Sequence, residues 1–168
     1  VVVPAYGVEE WLGECLRSLV QQSHTRWEAV VVDDGSPDRS GEIADEWAHR
    51  DARITVIHTA NGGLGAARNV GLRHVRGDYV TFLDSDDVLP PTAYSALVGA
   101  LEESGSDFAT GSIVRWEDGR LTEPPWMRRL HRPARRGTTV AEHPEILGDV
   151  FVWNKLFRRS WWDAQQLS

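Results

Sequence analysis

An acidic cluster, Asp84-Ser85-Asp86-Asp87, follows the apolar residues 80–83. Three carboxylates within four residues repel one another, and a hard divalent cation relieves that repulsion. Mg²⁺ and Mn²⁺ prefer carboxylate oxygens together with substrate phosphates, so Asp84 and Asp86 are candidate metal ligands. Their alternation also allows one of the two to accept a hydrogen bond from a ribose or sugar hydroxyl. A solvated acidic turn that caps the next helix is the structural alternative.

A second candidate site is the glycine-rich segment Asn61-Gly62-Gly63-Leu64-Gly65-Ala66-Ala67-Arg68-Asn69. Glycines let backbone N–H groups approach a ligand, and a helix N-terminus attracts anions. Arg68 can pair with a phosphate or a carboxylate. The segment is not a dinucleotide fingerprint, because Arg68 stands where Gly or Ala would complete that motif. A plain tight turn is the alternative.

Polar residues also follow two earlier apolar runs. Asp33 and Asp34 can accept hydrogen bonds from a base or a ribose hydroxyl, although a helix-capping turn explains them equally well. Tyr6 can stack on a base. The basic residues 128–136 suit a diphosphate or an anionic acceptor, or simply a solvated loop.

Composition excludes several classes of protein and site. The chain has 168 residues and a net charge of −7, which argues against nucleic-acid binding through phosphate neutralisation. Cys15 is the single cysteine, so no internal disulfide forms, and we expect it to pack inside the first helix. The six histidines lack metal-ligand spacing, and Ser36 and Ser85 lack a nucleophile context.

The elements that must position these residues follow an α/β pattern, in which β-branched runs alternate with amphipathic stretches. We predict strands at residues 1–3, 27–32, 54–58, 79–83 and 108–116, and helices at 8–22, 40–50, 66–75 and 90–103. Ser40 is the predicted N-cap of the second helix. Residues 117–137 are predicted as a long loop or lid, 140–150 as a helix and 152–157 as a short aromatic segment. Ligands of such sheets bind where the strands end, which is where all four motifs lie.

The ordered motifs resemble those of family 2 inverting glycosyltransferases with the GT-A fold. They are Pro4-Ala5-Tyr6, Val31-Val32-Asp33-Asp34-Gly35-Ser36, the glycine-rich segment and Phe82-Leu83-Asp84-Ser85-Asp86-Asp87. More weakly, Val152-Trp153-Asn154-Lys155-Leu156-Phe157 resembles a segment of polysaccharide and teichoic-acid-type members, and Gly7 departs from the Asn usual after the tyrosine. The resemblance implies a single Rossmann-like α/β domain with a mostly parallel central sheet flanked by helices. Because the chain begins within an apolar run and ends without an obvious stop, we expect it to be a piece of a longer protein, truncated at its C-terminal side.

The resemblance also implies residue roles around a nucleotide-diphosphate-sugar donor and Mn²⁺ or Mg²⁺. Asp84 and Asp86 would form a DxD motif, with Asp86 as the direct metal ligand. Trp153, Asn154 and Lys155 would face donor phosphate or acceptor. Residues 1–116 would form the nucleotide-sugar-binding core and 117–168 a partial acceptor-side or lid region. The donor-binding residues would be Pro4, Ala5, Tyr6, Asp33, Asp34, Asn61, Gly62, Gly63, Arg68, Asp84, Ser85 and Asp86.

The implied reaction is a direct displacement with inversion, in which a carboxylate base deprotonates the acceptor hydroxyl. Relatives carry that base in a downstream Glu-Asp pair, which is missing after Lys155, and neither Asp149 nor Asp163 has the expected context. We therefore expect the base beyond Ser168. The acceptor would be a glycan, polyol phosphate or lipid-linked molecule in cell-envelope polysaccharide or teichoic-acid-like synthesis. The enzyme would be cytoplasmic, at the inner face of the plasma membrane, which it would contact peripherally through parts outside this chain.

Two other functions fit parts of the pattern. One is a non-catalytic nucleotide-sugar-binding module, because the expected base is missing. The other is a haloacid-dehalogenase-type phosphatase with Asp84 as nucleophile, since Asp84-Ser85-Asp86-Asp87-Val88 fits that signature. The phosphatase signature normally follows the first strand, whereas here three strand–helix units precede it.

Overall fold

Strands and helices alternate through the first two thirds of the chain. The structure, a computed structural model, describes residues 1–167. The first four strands are β1 (Val2–Ala5), β2 (Ala29–Asp33), β3 (Ile54–His58) and β4 (Tyr79–Thr81). The helices that follow them are α1 (Leu12–Val20), α2 (Ser40–Arg50), α3 (Leu64–Leu72) and α4 (Ala93–Ser104).

The remaining elements are shorter. They are β5 (Phe108–Thr110), β6 (Arg115–Glu117), β7 (Arg120–Thr122), α5 (Pro125–His131), a 3₁₀ helix (Pro144–Gly148), β8 (Lys155–Arg158) and α6 (Arg159–Ala164). In the part of the chain that the structure describes, no helix combines the length and apolar character needed to cross a membrane.

The central sheet is mostly parallel, as expected. β1 pairs in parallel with β2, and β2 with β3. A parallel bridge from Val2 to Phe82 places β4 next to β1, and the amide of Leu83 donates to the carbonyl of Val2 at 3.0 Å. β8 lies antiparallel between β4 and β5. The strand order is therefore β3-β2-β1-β4-β8-β5, with β8 as the antiparallel member.

Helices cover both faces of the sheet. On one face Leu12 and Leu16 of α1 pack in a core with Val3 and Val31. On the other face Val2 packs near Ala67 of α3. A Cβ atom at Gly71 would collide with the side chain of Val2, so glycine allows α3 to approach β1 closely. The sheet is buried on both sides, which leaves its ends as the open positions for a ligand.

The main differences from the predicted elements lie after residue 110. The predicted strand 108–116 divides into β5 and β6, and the predicted loop 117–137 contains β7 and α5. Asp118 and Gly119 form the β6–β7 turn with φ of 50° and 76°, and an Asp-Gly turn is a standard hairpin signal that outweighs the Pro-rich composition. Three of the six basic residues in 128–136 lie on α5, and the predicted helix 140–150 is only the 3₁₀ helix.

Smaller corrections concern element ends. α1 begins at Leu12 rather than at residue 8, and α3 spans residues 64–72 rather than 66–75. Ser40 is the first residue of α2 and not its N-cap, because its hydroxyl donates to Asp38 at 2.6 Å and accepts from the amide of Val8 at 2.9 Å. Ser40 thus ties the loop after β1 to the start of α2.

Candidate functional site

The predicted donor-side residues meet at one edge of the sheet, where β1, β2, β3 and β4 end; we call it the carboxyl edge. The amide of Asp34 donates to the carbonyl of Ala5 at 2.9 Å, and the amide of Thr59 donates to the carbonyl of Asp33 at 2.9 Å. These bonds join the ends of three strands. Pro4 and Ala5 are buried, whereas the Tyr6 ring is 52% exposed and available for stacking.

Asp34 organises the glycine turn, residues 61–65. Its two carboxylate oxygens accept the amides of Gly62 and Gly63, each at 2.8 Å. Because these amides are already used, the glycine turn does not offer them to an anion. The start of α3 does leave the amides of residues 64–66 without an intrahelical acceptor. Asn61, the first residue of this turn, is exposed.

Asp33 is held in a different way. Its carboxylate accepts the amide of Ser36 at 3.1 Å and contacts the ring of His58 at 2.9 Å. Burial alone would raise the pKa of Asp33, but the hydrogen bonds from Ser36 and His58 lower it. The second ring nitrogen of His58 lies 3.2 Å from Asp45. Asp33, the last residue of β2, and Asp34, which follows it, are therefore both buried and have partners from neighbouring loops.

Arg68 pairs with a carboxylate of this chain. Its guanidinium lies 2.6 Å from Asp84 and 5.7 Å from the centre of the Phe82 ring. Among the described residues, its Nε is buried and has no hydrogen-bond partner. The pair connects α3 to the acidic turn, residues 84–87, and leaves Asp84 partly neutralised.

The acidic turn closes on itself and projects one carboxylate outward. The amide of Asp87 donates to the carbonyl of Asp84 at 3.0 Å. Ser85 is buried and Asp86 is exposed. The pKa of Asp87 is raised to about 6, mainly by burial and to a smaller extent by repulsion from the carboxylates of Asp86 and Asp84. Cys15 packs beneath this turn with 1% exposure, as predicted, and burial raises the pKa of its thiol.

The charges of the acidic turn suit a divalent cation. Within residues 1–167, no group of three or more His, Cys, Asp or Glu side chains is arranged to hold a metal ion. Mg²⁺ commonly binds through one or two carboxylates and takes its other ligands from water and phosphates. Asp86 fits that use, since it is exposed and carries no hydrogen bond or ion pair within the described chain. Asp84 is the second candidate but is already paired with Arg68.

The predicted acceptor-side residues Asn154 and Lys155 are buried around Asp149, a residue that sequence reasoning set aside. The ammonium of Lys155 lies 2.9 Å from one oxygen of Asp149, and the amide of Asn154 donates to the other at 3.0 Å. The hydroxyl of Thr110 donates to the same carboxylate at 2.7 Å, and His131 lies 3.6 Å away. We call these five residues the Asp149 cluster. No local signal reveals it, because its members span residues 110–155.

The charged groups of the Asp149 cluster are buried and paired with one another rather than exposed to a ligand. Burial alone would raise the pKa of Asp149, but the nearby His131 ring and the hydrogen bonds from Thr110, Lys155 and Asn154 bring it far below its usual range. Burial lowers the pKa of Lys155, and Asp149 offsets part of that effect. Lys155 also donates to Asn154 and to the carbonyl of Phe151, so its three donors are all used. Of the three predicted residues, only Trp153 keeps a partly exposed side chain unconnected to this cluster.

Comparison with known proteins finds similar sequences and structures among glycosyltransferases. Residues 1–164 match the sequence model of Glycosyl transferase family 2. The uncharacterized glycosyltransferase EpsJ of Bacillus subtilis is 38% identical over 175 residues, which cover 99% of this chain and 49% of EpsJ. The structure of S. aureus TarS 1-349 in complex with UDP-GlcNAc superposes with a TM-score of 0.83 at 26% identity, covering 98% of this chain and 46% of that one.

A more distant structure shares the fold. The mannosyltransferase PcManGT from Pyrobaculum calidifontis, in complex with GDP-Man and Mn²⁺, superposes with a TM-score of 0.73 at 23% identity. The match covers 98% of this chain and 45% of PcManGT. The chain thus spans about half the length of each relative described here.

Proposed function

Since the chain belongs to glycosyl transferase family 2 and has its GT-A fold, we propose that it forms the donor-binding part of an inverting glycosyltransferase. The enzyme moves a sugar from a nucleotide-diphosphate-sugar to an acceptor hydroxyl. Membership of the family removes the phosphatase alternative, in which Asp84 would attack phosphorus. The observation that carries the proposal is the carboxyl edge, where the acidic turn presents the exposed Asp86 beside Arg68 and the start of α3.

The donor is assigned to residues 1–116. The exposed ring of Tyr6 stacks on the base, with Pro4 and Ala5 forming the floor below it. Asp33 and Asp34 lie beside the nucleoside, and Asp34 also holds Gly62 and Gly63 in place. Support for this donor class comes from TarS, a relative whose structure holds UDP-GlcNAc.

The diphosphate is placed between the start of α3 and the acidic turn. Unpaired amides at residues 64–66 and the nearby charge of Arg68 attract an anion there. A bound Mn²⁺ or Mg²⁺ would neutralise charge on the departing diphosphate. Asp86 would hold that ion directly, with Asp84 and the buried Ser85 behind it. Asp84, through its pair with Arg68, keeps the acidic turn at a fixed distance from α3.

The general base is assigned to a residue beyond Ser168, outside the described residues. Asp149 does not suit this role, because its carboxylate has 0% exposure and its pKa is lowered far below neutrality. Asp163 lies 3.5 Å from Arg159 on α6. Because Asp149 is buried and Asp163 lacks the sequence context expected of the base, a non-catalytic nucleotide-sugar-binding module is the second candidate function. Measured release of UDP or GDP from nucleotide-sugars separates the two, because the module would bind them without turnover.

Residues 117–168 are assigned to the acceptor side, with Trp153 as the predicted contact. The segment 152–157 resembles polysaccharide and teichoic-acid-type enzymes, so we assign the protein to cell-envelope synthesis. Its acceptor would be a glycan, polyol phosphate or lipid-linked molecule, at the inner face of the plasma membrane. The net charge of −7 supports the absence of a nucleic-acid partner.

Calorimetry with Asp86→Ala tests the proposal. We expect UDP or GDP to bind the chain in the presence of Mn²⁺ and more weakly without it. Asp86→Ala should reduce the Mn²⁺-dependent affinity by at least about 100-fold, since even indirect partners of a metal change affinity by about 10–100-fold. The control is Asp107→Ala, which removes an exposed carboxylate at the opposite end of the sheet, just before β5. Equal affinities of the two variants would contradict the assignment of Asp86.

A further inference from the structure

Three partly exposed aromatic rings pack against one another on the proposed acceptor side of the molecule. Trp126 of α5 lies 5.8 Å from Phe151, and Phe151 lies 5.0 Å from Trp153, centre to centre. Each neighbouring pair is inclined by 36°. Trp126 is 38% exposed, and the other two rings are partly exposed. We call these three residues the aromatic platform.

The topology brings the aromatic platform to the carboxyl edge. Because β8 is antiparallel to β4 and β5, it begins at the end of the sheet where those strands finish. The hydroxyl of Thr81, at the end of β4, donates to the carbonyl of Lys155 at 2.7 Å. The amide of Gly111, just after β5, donates to the carbonyl of Asn154 at 2.9 Å. Phe151 and Trp153 directly precede this point, so they lie at the same end as the acidic turn.

The Asp149 cluster holds the aromatic platform in a fixed arrangement. The ammonium group of Lys155 binds both the carboxylate of Asp149 and the carbonyl of Phe151. These two contacts constrain the backbone between Asp149 and Lys155, which carries Phe151 and Trp153. His131, at the end of α5, approaches the same carboxylate and links the helix that carries Trp126. A buried ion pair gives little net stability, but separating its partners leaves an uncompensated buried charge, which disfavours other arrangements of these segments. A preformed surface loses less entropy when a ligand binds.

Three cations near the platform already have carboxylate partners. Arg128 and Arg132 both pair with Glu123 at 3.2 Å, and Lys155 pairs with Asp149. They are therefore less available to a phosphate than unpaired cations would be. Aromatic faces carry partial negative charge, and the C–H groups on one face of a pyranose ring carry partial positive charge, so the two stack favourably. Ligand sites of this kind combine apolar rings with a few polar groups.

We propose that the aromatic platform binds a pyranose ring of the acceptor, which makes the acceptor a glycan rather than a linear polyol phosphate. Asp149 is a positioning residue that acts through Lys155 and the segment before β8. This inference rests on the proposed function, because it takes the donor to lie on the neighbouring acidic turn. It assigns Trp126 and Phe151 to the acceptor side together with Trp153.

Fluorine NMR of the chain labelled with 5-fluorotryptophan tests the platform. The probes are the methyl pyranosides of glucose, galactose and N-acetylglucosamine, with glycerol 3-phosphate as the linear comparison. Tryptophan-to-phenylalanine variants assign the signals of Trp126, Trp153 and the control Trp116, which is 71% exposed on β6. We expect at least one pyranoside to shift the Trp126 and Trp153 signals saturably while Trp116 stays unchanged. No shift, an equal shift of Trp116, or a shift with glycerol 3-phosphate alone would overturn the inference.

Variants and a nucleotide titration complete the test. Trp126→Ala should weaken pyranoside binding by about 10-fold, as loss of one aromatic contact predicts, while Trp126→Tyr should retain most of it. Asp149→Asn should broaden or displace the Trp153 signal and weaken pyranoside binding; an unchanged signal and affinity would overturn its positioning role. UDP with Mn²⁺ is titrated into the same sample. If the nucleotide binds and no pyranoside does, only the pyranose-binding role of the aromatic platform is contradicted. If a pyranoside binds and the nucleotide does not, the proposed function and the acceptor assignment are contradicted.

Discussion

Asp86 and Asp149 are the same residue type in opposite environments, although both lie near one end of the sheet. The carboxylate of Asp149 is fully buried and is surrounded by donors from Thr110, Asn154 and Lys155. Asp86 is exposed, and its negative neighbours lack compensation apart from the Arg68–Asp84 pair. A carboxylate whose oxygens already accept hydrogen bonds, such as that of Asp149, stabilises the fold. A carboxylate whose oxygens are unpaired and which lies next to other negative charges, such as that of Asp86, is suited to binding a cation.

Asp33 and Asp34 lie between these extremes. Asp34 is buried, but its partners are the amides of the glycine turn rather than a buried cation. Asp33 uses an amide and a half-exposed histidine. Their hydrogen bonds shape the loops of the proposed donor side, so we expect changes to them to affect both stability and binding. The comparison therefore predicts a large, an intermediate and a small loss of unfolding free energy when Asp149, Asp34 and Asp86, respectively, are substituted.

The largest effect on stability is expected for Asp149→Ala. The substitution leaves Lys155 buried without its counter-ion, and breaking a buried pair from one side costs about 3–5 kcal/mol. The free energy of unfolding, measured by urea denaturation, should fall by that amount. Asp86→Ala serves as the matched control and should change it by less than about 0.5 kcal/mol, because an exposed, unpaired side chain is removed.

A double variant separates charge pairing from packing at the same position. Asp149→Leu combined with Lys155→Met replaces the pair by apolar groups of similar size, which is often neutral or stabilising. We expect the double variant to recover most of the stability lost in Asp149→Ala. If Asp149→Ala is as stable as the original chain, the Asp149 cluster does not hold the acceptor side together.

The residues that we assign to the donor side could be picked out from the sequence because their signals are local. Residues 84–87 and 61–65 each lie directly after a strand, and parallel topology brings strand ends together without any long-range information. The order of strands and helices in residues 1–110 was also predicted, with errors mainly at element ends. Even the partner of Arg68 was foreseen as a phosphate or a carboxylate, although the sequence did not reveal that Asp84 supplies it.

The acceptor side was less accessible because long-range contacts determine it. Thr110, His131 and Asp149 come together only after three separate elements have packed against β8. These residues are not spaced in any recognisable motif, and the separation of Asp149 and Lys155 in the sequence does not distinguish them from two unrelated charged residues in a loop. The β6–β7 hairpin differs, because its Asp118-Gly119 turn was a readable signal that the surrounding prolines and arginines obscured.

An intermediate effect is expected for Asp34→Asn. The asparagine oxygen can accept one of the two glycine amides, while its NH₂ group faces the other and leaves a buried donor unpaired, at a cost of about 1–3 kcal/mol. Urea denaturation measures the loss. Asp38→Asn is the matched control, since Asp38 also accepts backbone amides, from Glu9 and Ser40, but near solvent. A loss as large in Asp38→Asn would show that burial does not distinguish the two sites.

The smallest effect concerns His58, which lies between Asp33 and Asp45. The hydrogen bond to Asp33 raises the pKa of His58, burial opposes this, and Asp45 adds to the increase. A raised pKa in the folded state means that protonation stabilises the fold. The contribution is therefore fully present below the unfolded pKa of about 6.5 and is lost as the pH rises through the folded value. Because the His58 side chain is 51% exposed, solvent screening keeps the contribution below about 1 kcal/mol.

The difference in unfolding free energy between the original chain and His58→Gln measures this contribution directly. It should be largest at about pH 5.5 and should shrink towards about pH 8.5, through the region where His58 loses its proton. Asp45→Asn removes one of the two carboxylate partners and should reduce the pH dependence without abolishing it, since Asp33 remains. A difference that grows with pH would mean that neutral His58 is the stabilising form. In that case Asp33 would be held by a hydrogen bond from the neutral ring, and its support from His58 would strengthen rather than weaken as the pH rises.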